Sequence, residues 1–541
     1  SLSSWKSMRV AKGLAAKKRL TRSRLGKCVA AVIFACSLTM ALVGHRISIA
    51  MFRGEISRQQ AWGGPGRSSL AEDEHDSDAS NRGDLKCDEF GGPSDASDVV
   101  YWLDSPRDRK KRSPYGGNGD RKKYLTVELD AGGYNNVRMT VEIAMAWARA
   151  TGRVFVVPPR QGIYLMKGTY TLHDFYDLGG LDTMDMADFL QQEVIDSGHF
   201  GLYPPGNRTD WSEFAPRLEI FENENADSRQ LNRFLRTIGW SPKWLPGQKL
   251  LFIPEDPDGG DAKPNNMARQ PEPNPPFRPW KDRLREVIQG RDVVIYDDEP
   301  DLIHIMADDD AWVRMMHHYY YTIFIQSPTM DLWIKRFVRD TLRYKDEIFC
   351  VAGQIVKLLR LSSERQGSDG RFYTFHIRRG DFAHIGLVDD AKEIVDATKG
   401  IVPKDATVYI ATDEDDRSWF SSFHERYKEV YYLDNFQSHL KAIDSSFYGF
   451  IDQIVAARGD AFFGAYKSTF SAQIITMMGH YSQTNKSPGY EDGEINAYFY
   501  APSEVKYAYR EGYRAFRGDE DPIDMAYPLA WRGIDEDYQR R

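Results

Sequence analysis

The chain has 541 residues, a formal net charge of −8, a pI near 5.9, 41% hydrophobic and 13% aromatic residues. That length and apolar content suit two or more packed domains, and the acidic balance speaks against a general nucleic-acid binder, which carries a basic face. Four cysteines, Cys28, Cys36, Cys87 and Cys350, make no CxxC or Cys/His cluster of a zinc site, and whether Cys87 and Cys350 pair is open at this level.

Residues 1–27 are rich in Lys and Arg and hold no acid, which predicts a cytosolic basic tail. "CVAAVIFACSLTMALVG" follows, and the apolar segment extends to Phe52. A helix needs roughly 20 such residues to cross a bilayer, so 28–52 is expected to be a transmembrane signal anchor with the rest of the chain luminal. A cleaved signal peptide or presequence is the alternative. Residues 53–120 are Gly-, Ser- and Asp-rich and predict a disordered stem. "RKKR" at Arg109–Arg112 reads as a solvated charge run or a protease-processing site.

From Tyr124 the texture changes. "YLTVEL" predicts a buried strand, "DAGGYNN" a tight turn, "VRMTVEIAMAWARATG" a helix ended by Gly152, and "RVFVVPP" a second strand. This is a parallel βαβ crossover. "KLLFIP" and "DVVIYDD" are expected to add strands to the same sheet, and residues 262–279 form a Pro-rich surface loop. A second alternating series begins near residue 345, with strands "FYTFHI", "TVYIAT", "EVYYLD" and "AFFGA" separated by helices. Two such series predict two doubly wound α/β domains.

Ligands of open α/β sheets bind beyond the carboxyl ends of the strands. The polar residues expected there are Gly132, Gly133, Asn135 and Asn136 after the first strand, and Arg378, Arg379, Gly380 and Asp381 after "FYTFHI". Thr412 and Asp413 follow "TVYIAT", and Ser468, Thr469 and Phe470 follow "AFFGA". Arginine offers a rigid fork of donors that matches phosphate oxygens, and a helix beginning at "STF" favours an anion. Each group also has an ordinary reading: an Arg–Asp pair within a surface turn, helix caps at "ATDE" and "STFS", a core histidine at His376.

Four blocks together, "GGYNNVRMTVEIAMAWARATGRVFVVPP", "FHIRRGDF", "VYIATDEDD" and "IDQIVAARGDAFFGAYKSTFSAQI", resemble the GDP-fucose protein O-fucosyltransferase superfamily, with motifs most similar to the thrombospondin-repeat branch. The resemblance covers roughly residues 122–485, with about 180–290 divergent. It implies a GT-B-like α/β fold: an N-terminal Rossmann-like domain at 121–340 and a C-terminal, GDP-sugar-binding one at 341–541 facing each other across a cleft. It also implies an inverting, metal-independent transfer of fucose from GDP-fucose to a protein (Ser/Thr) or glycan hydroxyl. The protein would be a single-pass type II membrane protein of the Golgi or endoplasmic reticulum with its catalytic part luminal. Arg378 is implied to hold the β-phosphate, with His376, Arg379, Asp381, Asp413, Asp452, Ser468, Thr469, Phe470, Gly133 and Asn136 or Asn135 around the donor.

The thrombospondin-repeat branch places a Glu in its glycine-rich loop; "DAGGYNN" lacks one, Glu128 nearby lies in the predicted strand, some members of the family work without an evident base, and the base stays unassigned, with Asp130 as a candidate. "ADDDAW" at Asp308–Asp310 is an acidic run without the context of a metal site, and "NRT" at Asn207 and "NKS" at Asn485 are glycosylation sequons. Two other functions fit the same motifs: a related glycosyltransferase using another donor such as UDP-rhamnose, and a membrane-anchored, non-catalytic sugar- or nucleotide-binding protein.

Overall fold

The computed structural model describes residues 85, 87–90, 96–116, 122–178, 181–200, 228–241, 249–255, 291–296, 300–306, 322–382, 390–465, 468–485, 495–501, 504–507, 531 and 534–535. The described residues all fall in one compact unit, Ser77–Arg541. The basic tail, the expected anchor and Asp308–Asp310 lie outside the described residues. Among the described residues no helix is long and apolar enough to cross a membrane.

The strands are β1 (Tyr124–Val127), β2 (Val154–Val157), β3 (Gln161–Gly162), β4 (Thr169–Tyr170), β5 (Thr183–Asp185), β6 (Lys249–Ile253), β7 (Asp292–Ile295), β8 (Leu302–Ile305), β9 (Ile323–Ile325), β10 (Phe372–Ile377), β11 (Thr407–Thr412), β12 (Glu429–Tyr431), β13 (Ala461–Ala465), β14 (Ala497–Ala501) and β15 (Glu504–Tyr507). The helices that position the site are α1 (Tyr134–Ala150), α2 (Pro328–Thr341), α3 (Asp346–Arg365), α4 (Tyr448–Ala456) and α5 (Thr469–Asn485).

The first sheet runs β5–β2–β1–β8 and is parallel throughout. Helix α1 makes the β1-to-β2 crossover. It ends where Gly152 takes φ +65°, a left-handed turn that glycine adopts without strain. The expectation for "KLLFIP" and "DVVIYDD" is corrected here. β6 pairs with both β7 and β9 in a separate parallel sheet, in the order β7–β6–β9. The place beside β1 is taken by β8, and Trp240 bridges to Ile303 on that strand.

The second sheet runs β12–β11–β10–β13–β14–β15, parallel except for β15. All six residues of β10 are buried, as in a strand covered on both faces. Strand residues alternate between faces. Tyr373, Phe375 and Ile377 pack into one cluster with Phe420, Phe423 and Phe463, while Thr374 bonds the Ala456 carbonyl on α4 and His376 bonds Ser471 on α5. The even-numbered face therefore looks toward the helices that carry the site.

One hydrophobic cluster spans both sheets and includes Leu125, Trp147, Trp333, Ile348, Ile454 and Ile474. The expected boundary at 340/341 lies within one compact unit, and the two sheets share this core. The end of the expected stem is also part of it. Val99, Tyr101 and Trp102 are buried, and Cys87 is disulfide-bonded to Cys350 on α3. The run "VVYWL" at 99–103 is apolar enough to pack, a signal lost when the polar window 53–120 is averaged.

Candidate active site

A cavity of about 1160 Å³ opens where the β1–α1 loop meets the carboxyl ends of β10 and β11 and the start of α5. Its wall includes Gly133, Asn135 and Asn136 from the first sheet's side, and His376, Arg378, Asp381, Asp413, Asp452, Thr469 and Phe470 from the second's.

Arg378 continues the even-numbered face of β10. Its Nε and Nη2 donate to the two oxygens of Asp381 at 2.9 and 2.7 Å, and its guanidinium lies 4.3 Å from the Phe382 ring centroid. The internal pair of the ordinary reading and the cavity position of the functional one are both present. Among the described residues its hydrogen bonds use the side edge of the guanidinium, Nε and Nη2.

Asp413 shapes this loop. Its carboxylate accepts from the backbone amides of Arg379 and Gly380 at 2.7 and 3.1 Å. A side chain at 380 would put its Cβ 2.7 Å from Asp413 Oδ2, so the approach requires glycine.

His376 Nδ1 lies 2.8 Å from Ser471 Oγ, and its ring stacks on Phe470 with centroids 4.4 Å apart. Burial, with a smaller push from the Arg378 charge, lowers the imidazole to about 3, so it stands neutral at physiological pH. Asp452 accepts from Tyr409 Oη. Desolvation raises its carboxyl to about 7 against the opposing Tyr409 hydrogen bond, with a smaller upward push from Asp434.

Across the cavity, α1 begins at Tyr134 beside Gly133. Asn135 Oδ1 accepts from Gln453 Nε2 at 2.9 Å, and Asn136 Oδ1 from Thr469 Oγ1 at 2.7 Å. Two helices of 17 residues, α1 and α5, thus start at the wall, and unpaired first-turn amides favour an anion there.

A family model for GDP-fucose protein O-fucosyltransferases matches residues 124–478, more than half of the chain. The chain belongs to that family. It is a glycosyltransferase. No curated protein sequence matches it. Among solved structures it is similar to NodZ alpha-1,6-fucosyltransferase co-crystallised with GDP (14% identity, 66% of this chain and 93% of that one, TM-score 0.32). It is likewise similar to fucosyltransferase NodZ from Bradyrhizobium (15%, 66% and 94%, 0.32) and to POFUT1 in complex with GDP (12%, 66% and 94%, 0.30).

Two residues that the family resemblance implies at the donor, Arg379 and Ser468, and the candidate base Asp130 do not line the cavity. Arg379 falls on the odd-numbered face, where it pairs with Glu414 and lies 4.6 Å from the Trp419 ring centroid. Asp130 is buried and accepts from the Gly132 amide at 2.7 Å, holding the turn rather than reaching the cavity wall. Ser468 is fully buried, and its hydroxyl has no hydrogen-bond partner among the described residues. Strand alternation accounts for Arg379, and the tight turn for Asp130.

Residues beyond the sequence reading also line the wall. Arg417, Asp434, Lys441 and Asp444 come from the segments after β11 and β12. The carboxyl-end rule, applied to β12 as well, would have included Asp434. Tyr164 and Tyr170 come from the β3–β4 hairpin, which has no chemical signature in the sequence. Among the described residues no group of three His, Cys, Asp or Glu side chains could hold a metal.

Proposed function

We propose that this cavity binds GDP-fucose and that the protein transfers fucose, with inversion and without a metal, to a hydroxyl of a protein or glycan acceptor. The observation that carries the reading is Arg378: its guanidinium is held through Nε and Nη2 by Asp381 at the wall of the cavity that Asn135, Asn136 and Thr469 also line.

Inverting transfer breaks the anomeric C–O bond through an oxocarbenium-like state, and negative charge builds on the leaving diphosphate. Arg378 and the first-turn amides of α1 and α5 meet that charge. Each such group typically supplies about 3–4 kcal/mol of transition-state stabilisation. The neutral His376–Phe470 stack offers an apolar face to a nucleobase or sugar. The reading keeps the GT-B arrangement, with Rossmann-like domains at 121–340 and 341–541. It keeps the secretory-pathway location and the type II anchor at 28–52, and the Cys87–Cys350 disulfide supports an oxidising compartment.

The test is turnover of nucleotide sugars by the full chain in detergent. GDP-fucose should be hydrolysed slowly in the absence of acceptor, and UDP-rhamnose and other UDP-sugars should not. Turnover of a UDP-sugar alone would assign another donor, and nucleotide binding without turnover on any acceptor would favour the non-catalytic reading.

A further inference from the structure

A chain of hydrogen bonds runs from the interior to the cavity wall. It starts at Arg138 on α1, which is 2% exposed and donates from Nε to Glu142 Oε1 at 3.0 Å. Its Nη1 donates to Tyr344 Oη at 3.2 Å. Tyr344 Oη donates to Gln453 Oε1 at 2.8 Å. Gln453, on α4 and fully buried, donates from Nε2 to Asn135 Oδ1 at 2.9 Å and lies 3.5 Å from the Phe470 carbonyl.

The direction of this chain is fixed at its root. Arginine can only donate. Tyr344 accepts that hydrogen, so its single proton goes onward to Gln453. The Gln453 carbonyl is thereby used, and its amide nitrogen faces Asn135. Asn135 must then present its carbonyl to Gln453 and keep its amide N–H groups for the cavity. Thr469 Oγ1 donates to Asn136 Oδ1 at 2.7 Å, the same polarity on the neighbouring side chain.

We propose that Tyr344 and Gln453 are positioning residues: the Arg138–Tyr344–Gln453 relay locks the Asn135 amide so that it offers hydrogen-bond donors, not a carbonyl, to an acceptor-rich ligand such as a sugar diphosphate. This deepens the donor-site reading and rests on it for the ligand. The relay also ties α1, from the first sheet's side, to α4 and to the start of α5, so it sets the spacing of the walls as well as the polarity of one side chain.

The experiment compares Gln453→Glu, Tyr344→Phe and Asn135→Ala, singly and combined, in the full chain. Gln453→Glu keeps shape but cannot donate; Asn135 then turns its amide to the new carboxylate and shows its carbonyl to the cavity. Donor kcat/KM should fall at least tenfold, mainly through KM. Tyr344→Phe preserves the ring packed on Phe450, with centroids 4.6 Å apart, and should fall by a smaller factor in the same direction. Asn135→Ala combined with Gln453→Glu should lose little more than the worse single variant, because both act through one amide. A KM within twofold of wild type in Gln453→Glu, or losses that multiply, would overturn the relay. A second arm needs no donor: unfolding losses for Gln453→Glu and Asn135→Ala should be non-additive, and strict additivity would refute the contact. Wild-type protein that binds no nucleotide but shows that coupling would defeat the donor reading and leave the relay standing.

Discussion

Arg378 presents the side of its guanidinium to Asp381 and the end of it to open space. Nε and Nη2 are both committed to one carboxylate, at 2.9 and 2.7 Å, and Phe382 closes the face from one side. An arginine has two edges that suit bidentate acceptors. Here one edge fixes orientation and the other remains for a ligand.

Arg378→Ala should lower kcat/KM for GDP-fucose by about 10²–10³-fold, the usual loss for one charge-stabilising donor. Arg378→Lys should recover little of it, because an ammonium cannot use the Asp381 carboxylate and a phosphate in one plane. Steady-state kinetics with circular dichroism to verify folding would check this; near-normal turnover in the lysine variant would count against fork recognition.

Asp381→Ala frees the guanidinium to rotate and should raise donor KM about fivefold or more, with unfolding stability changed by about 1 kcal/mol or less, as for a partly exposed pair. If Asp381 were a mere competitor for Arg378, KM would instead fall.

Stability should carry two opposing pH dependences. His376 is held at about 3, below its unfolded value, so the unfolded chain takes up the extra proton as pH falls through about 6.5 and stability is lost toward acid. Asp452 is raised to about 7, so the folded state holds the extra proton and stability is lost as pH rises from about 4 through 7. Urea unfolding across pH 4–8 should therefore show Asp452→Asn gaining on wild type as pH rises, by at most about 1.4 kcal/mol per pH unit. A flat difference would mean that Asp452 titrates normally.

The segment before the first strand should be needed for folding. Val99 and Tyr101 are fully buried and Trp102 is 2% exposed. Arg458 pairs with Asp98, and Tyr481 Oη donates to the Val99 carbonyl at 2.7 Å. Trp102→Ala should cost about 3–5 kcal/mol, and Cys87→Ser about 2–5 kcal/mol. A chain of residues 85–541 should give one cooperative melt, whereas 121–541 should be recovered aggregated. Equal melting temperatures for the two would refute this.

Much of the sheet architecture was legible because parallel strands buried on both faces read as short apolar runs. "AFFGA" is β13 at Ala461–Ala465, and "FYTFHI" is β10 at Phe372–Ile377. The rim was legible because its polar residues come immediately after such runs. Facing was less so. Arg378 and Arg379 are equivalent as letters, and only the period of two carried past Ile377 separates them. Gln453 was illegible for another reason. It reads as one polar position in a helix, and its role depends on Tyr344 and Asn135, far from it in sequence.

The most direct measurement is calorimetric titration of GDP into the full chain and into Arg378→Ala. The account predicts one site per chain for the wild type, and affinity weakened at least 100-fold in the variant with its melting temperature preserved. Equal affinity in both proteins, or no GDP binding by a folded wild type, would contradict it.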